Sequence, residues 1–130
     1  MRYFKRDVTQ EPYPAPTCLQ SEGGALYIED LMEEGAIVRV PNLGLSPLVH
    51  SVTVFAQKFG DALFYPPMFV SRSVIVGGYP LYSLADRSFI MNCLGYNARF
   101  YFKVDGGDGG QDGESPHLEL KVRWRGAPSD

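Results

Sequence analysis

The chain has 130 residues, 45% of them hydrophobic and 21% charged, which suits one globular domain with a two-layer core. Its formal net charge of −3 gives no electrostatic footprint for nucleic acid, so nucleic acid is not an expected partner. No run approaches the roughly 18 apolar residues of a membrane span, so membrane insertion is not expected either.

Residues 1–22 read as an N-terminal arm. Pro12, Pro14 and Pro16 alternate with Tyr13 and Ala15 and favour extended, weakly laddered backbone. An arm of this kind lies along its own domain, reaches a neighbouring subunit or hangs loose. Basic Met1 to Asp7 is followed by no apolar stretch, so no signal peptide is read and a cytoplasmic location is expected, with non-classical export as the exception. In that setting Cys18 and Cys93 are expected as free buried thiols.

A β-sandwich domain is expected over residues 23–125. Ala25 to Leu31 reads as a short strand, with a turn at Glu33 to Gly35. The run Ile28 to Glu34 also suits a helix that Gly35 would stop. Ala36, Val38 and Val40 alternate with Ile37 and Arg39 as the next strand, closed by Pro41-Asn42. A loop follows from Asn42 to Pro47. Val49 to Ala56 alternates Val52, Val54 and Ala56 against Ser51, Thr53 and Phe55, dense in β-branched residues. Gly60-Asp61 marks a turn.

Ala62 to Tyr65 and Met68 to Val70 flank Pro66-Pro67, which cannot sit in a central strand because neither proline donates to a ladder; the Tyr65-Pro66-Pro67-Met68 step therefore belongs at an edge or an inter-sheet crossing. Ser73 to Val76 reads as a separate short strand ended by Gly77-Gly78, and Leu81 to Leu84 as another. Ala85 to Met91 suits one helical turn, begun by Asp86 or Ser88. The clearest strand is Asn97 to Val104. Its Ala98, Phe100, Phe102 and Val104 share one face, and Asn97, Arg99, Tyr101 and Lys103 the other. Leu118, Leu120, Val122 and Trp124 alternate in the same way, giving a terminal hairpin with that strand.

Between them, Asp105 to Ser115 carries five glycines and four acidic residues and reads as a loop that buries no apolar surface. Residues 126–130 form a tail. Seven or eight short strands without a long helix predict an all-β sandwich, with a small barrel as the alternative.

The pieces Gly35-Ala36-Ile37-Val38-Arg39-Val40-Pro41, Ser51-Val52-Thr53-Val54, Gly78-Tyr79-Pro80-Leu81-Tyr82, Gly95 to Val104 and Ser115 to Val122 occur in an order that resembles the bacterial immunoglobulin-like domains repeated in large adhesin-like surface proteins. The resemblance covers about three quarters of the chain, from Gly24 to Arg123. Ser46-Pro47 stands where those domains carry Gly-Asp. An immunoglobulin-like sandwich is the fold it implies.

No chemical motif stands out. His50 and His117 begin separate strands without a ligand or triad spacing, and no G-x-S-x-G elbow occurs. Asp105, Asp108, Asp112 and Glu114 miss the offsets of a calcium loop. No cofactor, metal site or catalytic residue is assigned, and the chain is not read as an enzyme; an uncharacterised hydrolase is the remaining catalytic alternative.

Aromatic residues carry the functional reading. Phe64, Tyr65, Phe69, Tyr79, Tyr82 and Tyr96 lie in or beside turns, where rings become exposed, and Tyr101 points away from Phe100 and Phe102. Either Tyr101's face is covered as well, or that side of the domain is sticky. The expected role is protein–protein contact, with self-assembly included. Tyr101, Arg99 and Lys103 are the candidate contact residues, and Tyr65, Tyr79 and Tyr82 serve the alternative of a carbohydrate-binding module.

Overall fold

The computed structural model describes residues 13–41, 51–60, 63–74, 81–105 and 113–126. Two sheets pack face to face as an all-β sandwich. The smaller holds β1 (Thr17–Cys18), β4 (Gly35–Val40) and β7 (Leu81–Asp86), in the order β1-β4-β7. The larger runs β2 (Ser21–Glu22), β3 (Ala25–Tyr27), β10 (Leu118–Arg123), β8 (Asn97–Asp105), β5 (Ser51–Phe59) and β6 (Met68–Val74), with β9 (Gly113–Glu114) paired to β8. All pairings are antiparallel except β3 with β10. The expectation of seven or eight strands becomes ten among the described residues, because short extended pieces such as β1, β2 and β9 add two residues each.

The core follows directly from the period-two pattern. Val38 and Val40 from β4 and Ala85 from β7 face Val52, Val54, Phe100, Phe102, Leu120 and Val122 of the larger sheet, with Leu26 and Ile28 beside them. The predicted terminal hairpin is present: Leu118 pairs with Phe100 and Leu120 with Ala98. The predicted helical turn is α1 (Arg87–Asn92); Asp86 caps it by accepting from the Ser88 amide.

Three local expectations change. The strand expected from Ala25 to Leu31 ends at Tyr27, and Ile28–Asp30 form a single 3-10 turn rather than the competing helix. Ile28 is fully buried there, and the Met32 and Gly35 backbones exchange hydrogen bonds that turn the chain into β4, leaving no room for further helical turns. Met68 to Val70 and the region from Ser73 join into one strand through Ser71. That hydroxyl shares a 2.6 Å hydrogen bond with Ser83 of β7, so a polar residue is tolerated where the two sheets approach each other. The strand from Val49 begins its described part at Ser51 and runs on to Phe59. The loop at Asn42 to Pro47, His50, Asp61, residues 75–80 and most of the acidic glycine loop lie outside the described residues.

Residues 13–22 are built into the sandwich rather than set apart from it. Pro16 and Cys18 are buried, β1 and β2 pair in different sheets, and the Tyr13 ring packs 6.1 Å from Phe102. At the other end Arg125 ties the chain to this region. Its side chain pairs with Glu22 and Asp30 and lies over the Tyr27 ring, while its amide donates to Glu29.

Both cysteines are free and buried. Burial pushes the Cys18 thiol up, and pushes Cys93 up to about 11 even though the Lys58 cation pulls it down. A thiol that holds its proton more tightly folded than unfolded contributes stability that is complete below the unfolded value, 9.0, and lost as pH climbs through 11. Neither thiol is therefore expected to react with iodoacetamide in the native protein at neutral pH, whereas both should alkylate in denaturant. Rapid native labelling, read by mass spectrometry, would mean that the site around the labelled cysteine opens.

Candidate functional site

The outer face of the larger sheet gathers the first group of candidate residues. Because Phe100 and Phe102 point into the core, Arg99, Tyr101 and Lys103 project together on the opposite side of β8. In register, Tyr101 pairs with Phe55, and Phe55 with Phe69 of the next strand. The Tyr101 ring stacks on Phe55 at 5.4 Å between centroids and on His117 at 4.4 Å, both nearly parallel. A row of rings thus crosses the sheet.

These stacks decide the alternative left open by the sequence. Tyr101 is only 5% exposed, so its face of the sheet is covered by neighbouring side chains of that same sheet. Desolvation chiefly, with the nearby Glu114 charge, pushes its hydroxyl pKa up against the opposing pull of Arg99. The flanking cations also lie on rings: Arg99 sits 4.1 Å over Phe59 and pairs with Glu119 at 3.1 Å, and Lys103 lies 5.4 Å from the Phe55 centroid. Each such contact on an open surface contributes about 0.5–1 kcal/mol and uses one ring face.

His117 forms a 3.1 Å pair with Glu114 on this face. The hydroxyl next to it, on Ser115, is engaged with backbone: it accepts from the Phe102 amide and donates to the Pro116 carbonyl. Ser115 therefore fastens the start of the last strand rather than standing as a free nucleophile. Among the described residues no group of three or more His, Cys, Asp or Glu is placed to hold a metal ion.

The remaining candidates are dispersed. Tyr82 projects from the outer face of the small sheet and is 58% exposed. Tyr79 lies outside the described residues. Tyr65 belongs to a third place, a cleft of about 320 Å³ lined by Lys58, Tyr65, Pro66, Pro67, Met68, Phe89 and Asn92. On β5, Lys58 continues the inward face of Val54 and Ala56 to the end of the sheet, where α1 supplies Phe89 and Asn92. Its ammonium lies 4.6 Å from the Tyr65 ring centroid and 4.5 Å from that of Tyr96. Gln57, one residue earlier, donates to the Tyr65 carbonyl at 2.7 Å and holds the proline segment in place.

No family model, curated protein or solved structure matches this chain. Its functional reading therefore rests on its own surface. No helix among the described residues is long and apolar enough to cross a membrane, which says nothing about strands.

Among the described residues, several large apolar side chains are exposed on the approach to β6 and at its start. Leu63 is 67% exposed, Phe64 79% and Phe69 60%, with Met68 also exposed. The position of Phe64 and Phe69 beside Pro66-Pro67 signalled their exposure in sequence. What sequence reasoning missed is Lys58, because no local pattern marks a lysine that will lie between two rings brought in from other parts of the chain.

Proposed function

We propose that this chain is a non-catalytic, immunoglobulin-like contact domain that associates with a second copy of itself along β6. The observation that carries the proposal is the run of exposed Leu63, Phe64, Met68 and Phe69 at the edge of the larger sheet. Among the described residues β6 has one hydrogen-bonded neighbour, β5. An edge strand with unpaired backbone groups and large apolar side chains favours pairing with another strand. Antiparallel pairing of two identical edges closes under a twofold axis and covers the same apolar segment on both copies.

Strand order supports the immunoglobulin-like assignment. Strands β1, β4 and β7 correspond to A, B and E of that fold in one sheet, and β5, β8 and β10 to C, F and G in the other. The contact surface differs from the Arg99–Tyr101–Lys103 face expected from alternation, whose rings stack on one another. A glycan-binding role draws less support, since the Tyr65 ring carries Lys58 and Tyr82 belongs to the other sheet, while Tyr79 lies outside the described residues. The hydrolase alternative has its strongest pair in His117 and Glu114, on an open sheet face.

Size-exclusion chromatography with light scattering tests the proposal. The wild-type chain should elute at twice its monomer mass at high concentration. The double variant Phe64→Ser/Phe69→Lys should be monomeric and, compared at a dilution where the wild-type chain is monomeric too, about equally stable, because exposed positions change stability by about 0.5 kcal/mol or less. A wild-type monomer at the highest soluble concentration rejects self-association.

A further inference from the structure

The Lys58 cleft has a feature that protein contact along β6 does not use. An ammonium carries three N–H donors and attracts anions, yet among the described residues no carboxylate forms an ion pair with Lys58 and no side chain or backbone oxygen accepts from it. Its neighbours are the two tyrosine ring faces, which balance part of its charge but supply no anionic oxygen. The walls beside it are largely apolar, Pro66, Pro67, Met68 and Phe89, with the Asn92 amide as a polar side chain among them. At about 320 Å³ the cleft lies at the small end of the range for ligand sites.

A cation without an acidic partner among the described residues, set beside largely apolar walls, complements one kind of small molecule. We propose that this cleft binds a small carboxylate with an apolar body. The carboxylate accepts from the Lys58 ammonium, and the body packs against Pro66, Pro67, Met68 and Phe89. Gln57 preorganises the site by fixing the Tyr65 carbonyl, and the Tyr65 and Tyr96 rings restrict the lysine to the cleft, so binding orders few further groups.

The test is a titration of the full chain with 4-phenylbutyrate and, separately, with its neutral isostere 4-phenylbutanamide, followed through the backbone amide NMR shifts of Asn92 and Tyr96. The acid is expected to bind at least about tenfold more tightly than the amide, as a charge-assisted hydrogen bond implies. In Lys58→Met, which keeps an apolar stem, that preference should vanish. Equal binding of acid and amide to the wild-type chain overturns the proposal, as does the absence of shifts with either compound or a preference that survives in Lys58→Met. The acid–amide comparison within the wild type keeps the test valid even if the variant folds poorly. Because shifts are read at the cleft, the outcome is separate from the mass measurement that tests self-association.

Discussion

Gly35→Ala is expected to destabilise the fold by about 3–5 kcal/mol, combining left-handed backbone strain with a forced clash. Gly35 opens β4 at φ +144°, and a Cβ built there would stand 1.9 Å from the Ala85 carbonyl oxygen and 2.8 Å from the Arg87 amide nitrogen. Both are backbone atoms of the adjoining β7–α1 segment, so no side chain can rotate away. Relief requires β4 and β7 to separate where Gly35 pairs with Asp86, next to the Glu34 carbonyl that accepts from the Arg87 amide. Urea denaturation should show the midpoint falling by roughly 2 M at unchanged slope.

Gly24 is the control. It also has positive φ, +82°, but a Cβ there meets nothing within 4 Å. Gly24→Ala should cost only the left-handed penalty, about 1–2 kcal/mol. Similar losses at both glycines would show that the close approach of Gly35 to β7 is not what limits that position.

Phe100→Ala should be comparably severe, at about 3–5 kcal/mol. Phe100 is fully buried on β8, pairs with Ala56 on one side and Leu118 on the other, and meets the Phe89 ring edge-on at 6.4 Å. Alanine would leave a cavity between the larger sheet and α1 that backbone held in two ladders cannot collapse to fill. Against a total stability of about 5–15 kcal/mol for an ordinary domain, the loss is enough to populate unfolded chain at modest temperature. Calorimetry on Phe100→Ala beside Phe64→Ala makes the comparison sharp. The second removes the same ring from a position exposed in the single chain and, at a concentration where the chain is monomeric, should leave the melting temperature nearly unchanged. A mild Phe100→Ala phenotype would mean that α1 moves in to fill the space.

Much of this architecture is legible from local pattern. The alternation from Asn97 to Val104 and from Leu118 to Val122 assigns the inner face of both strands correctly, because a strand has only two faces and burial favours the apolar one. Trp124, expected on that same face, instead lies past the end of β10 and is 44% exposed, because the ladder that sets the alternation stops at Arg123. Asp86 announces α1 through the polar group it offers to an uncapped amide. Pro66-Pro67 forecasts an edge, and the segment does lead into β6 at the end of the larger sheet. Alternation does not reveal what covers the second face. Tyr101 points outward as its position in the strand requires, yet it is buried, because the register with β5 and the path into β10 bring Phe55 and His117 onto it.

By itself, then, the sequence determined an all-β sandwich, the inner faces of its clearest strands and the edge character of the proline segment; each of these depends on neighbours a few residues apart. The tertiary structure alone decided that residues 13–22 belong to both sheets, that β3 runs parallel to β10, that Gly35 lies against the β7 backbone and that Lys58 lies between Tyr65 and Tyr96. Most of those features join residues tens of positions apart. Their geometry comes from strand register and from packing of the whole core, which no window of sequence contains.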